Sequence, residues 1–178
     1  MRIVRYTPEL HGVTFLHVFQ DEAYRDFFRR IPFGLNVKQI VYDFEDISRG
    51  QLYAVEHDNQ IIGFAVTTQT CDFGRSCHAG LVLLQQFQKK KIGDYGLAFL
   101  ALFELAKQLF EYSNIRKIKL MILESNKALK SILDKAGLQY EGTFIENVEF
   151  RGKWQNELEY ALFRELYWFY KEKVNYVC

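Results

Sequence analysis

The chain has 178 residues and a formal charge of +1, which is the size of one ordinary domain with a substantial core and a balance that excludes a global field for nucleic acid. No apolar run reaches the ~18 residues of a membrane span. Arg2 and Arg5 interrupt the opening MRIVRY, so it does not read as a signal sequence, and a single cytoplasmic domain over residues 1–178 is expected. Cys71, Cys77 and Cys178 lack a metal-ligand spacing, which points to a reducing compartment, no disulfide framework and no metal.

In chain order, MRIVRY alternates charged and apolar residues and predicts a first strand. Thr7-Pro8 then predicts a helix to about Gln20, with Thr7 as N-cap and Pro8 in the first turn, where its missing N–H costs nothing. A second short segment, DEAYRDFFRR, stops at Ile31-Pro32, because the residue before a proline disfavours the helical region. Asn36 is placed to cap a further helix, VKQIVYDFEDIS, which ends at Gly50.

QLYAVEHDNQIIGFAVTTQT gives two extended runs around the hairpin signal Asp58-Asn59, and Ser76 to Leu84 supplies a third. Leu81 to Leu84 form a short apolar run of the kind a strand buried on both faces shows. From Asp94 onward Leu97, Leu100, Ala101, Leu105 and Leu109 line a helical face. RKIKLMIL reads as a strand, Glu124-Ser125-Asn126 leads into a helix closed by Gly137, and two extended runs meet at Arg151-Gly152. The aromatic tail LYWFYKEKVNYVC is compatible with a closing helix.

The order is therefore strand, two or three helices, three strands, helix, strand, helix, two strands. This is an α/β fold with a mixed sheet, in which Leu81–Leu84 and Lys117–Leu123 form a parallel pair joined by the central helix. Ligands in open α/β sheets sit at the carboxyl ends of such strands, where both Gln88–Gly93 and Glu124–Asn126 lie. A helix N-terminus offers unpaired N–H groups and about half a positive charge, so it attracts phosphate. Lys89, Lys90 and Lys91 add cations there, and Gly93 allows close approach. The same three-lysine run also suits a plain solvated turn. Neither G-x-x-x-x-G-K-[ST] nor G-x-G-x-x-G is present, so nucleoside triphosphate and dinucleotide sites lack their signatures.

These features together resemble the GNAT family of acyl-CoA-dependent N-acetyltransferases. Gln88-Lys89-Lys90-Lys91-Ile92-Gly93 is similar to the family's Gln/Arg-x-x-Gly-x-Gly/Ala signature, with Lys91 at the middle glycine position. Asn126 matches the family's asparagine at the start of the following helix. EGTFIENVEFRGKWQNELEYALF is similar to the branch containing the ribosomal-protein alanine and spermidine acetyltransferases.

The resemblance implies acetyl-CoA in the splay between the two parallel strands, and acetyl transfer by direct attack of a primary amine on the thioester. Main-chain groups of Val82, Leu83 and Leu84 would pair with the pantetheine amides. N–H groups from Gln88 through Lys89, Lys90, Lys91, Ile92 and Gly93 to Asp94 would hold the pyrophosphate, and Asn126 would contact the pantetheine arm.

His78 stands at the strand position where several relatives carry a base, and a histidine of near-neutral pKa suits the task. Glu124 is a second catalytic candidate. The thiolate-protonating tyrosine of many members falls at Leu133, which leaves Tyr140, Tyr160 or water for that role. Phe28, Arg29 and Tyr53 are candidates for substrate binding, with Glu56 and His57 as further acceptor-side residues. The expected acceptor is a small-molecule amine or a protein N-terminus, with the chain acting as monomer or homodimer. A CoA-binding or sensing module of the same fold is the alternative.

Overall fold

The computed structural model describes residues 1–21, 50–71, 75–92 and 95–174. The chain divides into two units, Met1–Gln69 with Gly80–Gln108, and Thr70–Ala79 with Leu109–Cys178. Strands of the main sheet are hydrogen-bonded in the order β1 (Arg2–Arg5), β2 (Gln51–His57), β3 (Gln60–Cys71), β4 (Ser76–Leu83), β7 (Lys117–Leu123), β9 (Lys153–Phe163), β8 (Gln139–Phe150). β5 (Lys91–Ile92) and β6 (Tyr95–Gly96) pair separately. The helices are α1 (Pro8–Gln20), α2 (Leu97–Tyr112), α3 (Lys127–Lys135) and α4 (Arg164–Val174).

In the first unit β1 and β3 flank β2 in antiparallel ladders. The β2–β3 turn is the expected one: Asp58 and Asn59 have φ of 49° and 59°, the left-handed pair that a two-residue hairpin requires and that Asp and Asn tolerate. α1 starts at Pro8 as read, yet Thr7 caps it without its side chain. Its backbone N–H instead donates to His11 Nδ1 at 2.9 Å, reversing the usual direction of capping. His11, Phe15, Val18 and Phe19 then fall on one buried face. Phe15 meets the rings of Tyr6 and Phe64 at 5.2 Å each, so aromatic packing ties α1 to β3 and to the end of β1.

The second unit is built on β7. Its first four residues pair in parallel with β4, from Ser76↔Lys117 to Ala79↔Leu120, and all seven pair antiparallel with β9. The ladder with β4 ends at Ala79, although β4 runs to Leu83 and β7 to Leu123. The parallel pair expected at Leu81–Leu84 lies earlier in the same strand, at Ser76–Ala79. Alternation along these ladders puts Ile118, Leu120, Ile122, Leu158, Tyr160 and Leu162 on one buried face. The opposite face carries His78, Lys117, Lys119, Met121, Glu157 and Glu159.

Tyr167 of α4 is 1% exposed, meets the Phe110 ring in a tilted arrangement with centroids 5.5 Å apart and hydrogen-bonds to Glu111, while the Tyr170 hydroxyl donates to the Ala136 carbonyl at 3.0 Å. Part of the aromatic tail is thus internal packing. Among the described residues no helix is long and apolar enough to cross a membrane. The helices expected between residues 22 and 49 lie outside the described residues.

Candidate functional site

The stretch from Val82 to Leu97 is held by its own hydrogen bonds. Leu84 N–H donates to the Ile62 carbonyl at 2.9 Å, and a Cβ on Gly63 would stand 2.1 Å from the Val82 carbonyl oxygen. Only a residue without a side chain permits that approach of β3 to β4. Leu81, Val82 and Leu84 are half-buried, with Leu83 alone of the run fully buried. This differs from the two-sided burial expected from the apolar run.

Gln85–Phe87 form one 3-10 turn that buries Phe87. The Gln88 side-chain amide then folds back and donates to the Leu83 carbonyl at 3.0 Å. Gln88 therefore acts first as a brace between the loop and the end of β4.

The loop differs from the sequence expectation in one respect that matters chemically. The helix begins at Leu97, not near Asp94, because Lys91 and Ile92 pair with Gly96 and Tyr95 in a short antiparallel hairpin. Two amides expected to face phosphate, those of Gln88 and Lys90, are engaged within the chain, as is that of Leu97 at the helix start. Gln88 N–H donates to Gln85 at 3.3 Å, Lys90 N–H to Phe87 at 3.1 Å, and Leu97 N–H to Lys90 at 3.0 Å. The first of these exceeds the ordinary N–H···O range, so that donor is weakly held. The lysine side chains at 89, 90 and 91 are exposed, and Lys90 Nζ sits 4.6 Å from the centre of the Phe87 ring. The cationic character of the loop is real even though its backbone is partly closed.

A cavity of about 250 Å³ opens beside this loop, where His57, Asp58 and Gln60 of the β2–β3 turn come together with Lys90 and Lys91. His57, proposed from the sequence for the acceptor side, is thus grouped with Lys90 and Lys91. The hairpin signal located the turn, but no periodicity in the sequence indicates which loop a turn will face. Tyr53 is 7% exposed and its hydroxyl is hydrogen-bonded to Gln51, which leaves little of it to meet a substrate.

The remaining candidates lie in the second unit. His78 is half-buried on the polar face, directly opposite Lys119; Lys119 Nζ in turn reaches Glu159 Oε1 at 2.9 Å. Glu124, just past the end of β7, accepts from Asn156 Nδ2 at 2.9 Å. Asn156 Oδ1 accepts from the Glu146 N–H at 2.9 Å, and Glu146 has φ 46° at the register shift between Phe144 and Val148. Glu124 is therefore fastened to a bulge in β8, the kind of feature that re-aims side chains. Asn126 caps α3 as expected, its side chain accepting from the Leu129 N–H at 3.1 Å.

Tyr160 lies on the other face. It is 1% exposed and donates to Asp134 Oδ1 at 2.8 Å, while Lys130 Nζ holds the other oxygen of Asp134 at 2.8 Å. Burial first, and the bond to Asp134 second, push the Tyr160 hydroxyl above the ordinary tyrosine value. A hydroxyl that holds its proton more tightly is a poorer acid for a thiolate. Tyr160 and His78, both expected to be catalytic, thus lie on opposite faces of the sheet.

Burial pushes the Cys77 thiol up to about 12, so Cys77 is no nucleophile at neutral pH. Among the described residues no group of three or more His, Cys, Asp or Glu is placed to hold a metal. Phe28, Arg29, Gly93 and Asp94 lie outside the described residues.

Neither a family model nor a curated protein matches this sequence. Solved structures do match its fold. The spermidine N-acetyltransferase of Vibrio cholerae in complex with CoA and spermine aligns with a TM-score of 0.74 at 16% identity, over 94% of this chain and 98% of that one. A chimera of that enzyme and hSSAT gives 0.77 at 14% identity, over 94% and 99%. A dodecameric form in an intermediate state gives 0.70 at 14% identity, over 93% and 94%. The chain has the fold of GNAT acetyltransferases, and it resembles the spermidine acetyltransferases among them.

Proposed function

We propose that this chain is an N-acyltransferase that carries an acetyl group from acetyl-CoA to a primary amine. The observation that carries the reading is the end of the β4–β7 ladder at Ala79 and Leu120 while both strands continue. Main-chain groups of two strands that no longer pair need other partners, and a pantetheine arm presents amides to meet them. In this reading residues 82–84 hold the arm and the turn from Gln88 to Ile92 holds the diphosphate. Within residues 82–84 the Leu84 N–H is committed to Ile62 and the Leu83 carbonyl to the Gln88 side chain, so the arm meets the remaining main-chain groups. The side chains of Lys89–Lys91 supply charge where the loop amides are engaged. Gly93 and Asp94 complete that loop. Asn126 spends its oxygen on α3, so its contact to the arm falls to its amide NH2.

Acetyl-CoA supplies the activated thioester carbonyl. His78 takes a proton from the acceptor's ammonium group, directly or through water, so that the neutral amine attacks, and Lys119, opposite it, lies within the same polar face. Glu124 steers the amine from the end of β7. With Leu133 only 2% exposed and Tyr160 on the far face, water returns the proton to the departing thiolate. The acceptor is a small-molecule amine or a protein N-terminus, bound by residues that include Phe28 and Arg29. Spermidine and spermine head the panel to be tested, because the named structural neighbour binds spermine. The setting we propose is cytoplasmic, as monomer or homodimer.

The test is amine-dependent thiol release from acetyl-CoA. His78→Ala should lower the rate by roughly 10²-fold or more while CoA affinity is retained. A second reading has its own support, namely Leu133 at the tyrosine position and Lys91 in a closed hairpin: a module that binds CoA without turnover. Tight CoA binding with no thiol release on any amine selects it.

A further inference from the structure

We infer that the acceptor amine carries a carboxylate on a neighbouring carbon, as an amino acid does, and that Lys119 selects it. This rests on the acetyl-transfer reading above and narrows its acceptor. Charge is sorted by strand on the polar face of the second unit. β7 brings two cations next to β4, Lys119 directly opposite His78 and Lys117 opposite Ser76. The carboxylates stand further from β4, with Glu157 and Glu159 on β9 and Glu141 on β8. An amine whose proton goes to His78 therefore meets lysine before it meets glutamate.

Exposure points the same way. Lys119 Nζ holds Glu159 Oε1 at 2.9 Å, yet the lysine side chain keeps 23% of its surface and the glutamate 9%, so the pair presents its cation. That bond uses one of three ammonium N–H donors, which leaves donors for a further oxygen. Glu157 is 1% exposed and accepts from Asn147, and Glu141 is bound by Lys117 at 2.9 Å. Each carboxylate of the face is thus engaged within the chain. A second ammonium beside His78, as in a polyamine, would be repelled by Lys119. A carboxylate there gains a charge-assisted hydrogen bond. Neighbouring strands stand about 4.8 Å apart, a spacing that the amine and carboxylate of one small molecule can span.

The experiment measures kcat/KM with acetyl-CoA for glycine, alanine and phenylalanine, for methylamine, ethylamine and phenethylamine, which are the same molecules without the carboxylate, and for spermidine. The parent should prefer an amino acid to its decarboxylated partner by about tenfold, the size of one charge-assisted hydrogen bond, and should prefer it to spermidine. In Lys119→Gln, where the amide can still donate to Glu159, that preference should fall to within about threefold. The two amines of a pair differ in basicity, and the difference cancels when parent and variant are compared. Exchanging Lys119→Glu together with Glu159→Lys keeps the ion pair and reverses its sign beside His78. Spermidine should then overtake the amino acids, a gain that a misfolded chain cannot give.

A preference that neither variant moves, or a parent that acetylates spermidine ahead of every amino acid, overturns the inference and leaves the acetyl-transfer reading intact. Calorimetric titration of the CoA-bound chain with the same amino acids separates the opposite case. Binding that depends on Lys119 without turnover upholds the selectivity of this face and removes the transferase. Neither binding nor turnover of any amine overturns both.

Discussion

At the scale of single residues, proton affinity separates the structural groups from the chemical ones. Tyr160, Asp134 and Lys130 form one chain of hydrogen bonds. Lys130 first and Tyr160 second hold the Asp134 carboxyl below its ordinary value, and burial raises Tyr160. The signs fix the pH window. Asp134, depressed in the fold, stabilises above its unfolded value near 3.9 and loses this as pH falls through the folded value. Tyr160, raised in the fold, stabilises below its unfolded value near 10 and loses this as pH rises further.

Tyr160→Phe should therefore cost about 1 kcal/mol, roughly 2–4 °C in melting temperature for a chain of this length, and leave kcat within about twofold if water is the acid. Thermal melts and steady-state rates on the same variant check both halves. A large loss of kcat with an unchanged melting temperature would reinstate Tyr160 as the acid. Glu124→Gln is expected to raise KM for the amine and spare CoA affinity, since its carboxylate is held by Asn156 and not by the phosphate loop.

At the scale of elements, the approach of β3 to β4 is the most constrained feature. Gly63→Ala puts a methyl carbon against the Val82 carbonyl, where backbone and not a flexible side chain must yield. We expect a loss of about 3 kcal/mol in urea denaturation, and loss of CoA affinity because β4 must shift. A variant as stable as the parent would show that the two strands do not approach so closely.

The elements themselves were largely legible. Pro8 marked the start of α1, Asp58-Asn59 the β2–β3 turn, Asn126 the cap of α3, and the alternation of Lys117–Leu123 a strand. What was not legible depended on partners. Lys91–Ile92 with Tyr95–Gly96 is a two-residue pairing, too short for periodicity to register, so the apolar pattern predicts a helix from Asp94 where the structure starts it at Leu97. The apolar run Leu81–Leu84 suggested the parallel ladder, but apolarity does not specify register, and the ladder forms at Ser76–Ala79. His11, which caps through its ring, carried no signal because histidine is not a usual capping residue.

At the scale of the whole molecule, the fold and the catalytic proposal rest on different grounds. Topology alone places the chain among acetyltransferase structures at 14–16% identity, while activity depends on whether a cofactor engages the closed loop. Binding must then appear as added stability. CoA at a hundredfold its dissociation constant should contribute about 2.7 kcal/mol, roughly 5–10 °C in a thermal melt of a chain this size.

The candidate site was only partly readable from the sequence. Gln88 and Lys89–Lys91 marked a cationic loop after β4 by composition and position, but the engagement of its amides and the grouping of His57 with Lys90 and Lys91 arise from contacts between segments of the packed chain. A linear pattern does not encode such contacts.

The most direct measurement is a crystal structure of the chain with CoA. The account predicts the pantetheine alongside Val82–Leu84, past the last parallel pairing at Ala79, with the diphosphate over residues 88–92. CoA bound at any other place, or density for none at saturating concentration, would contradict it.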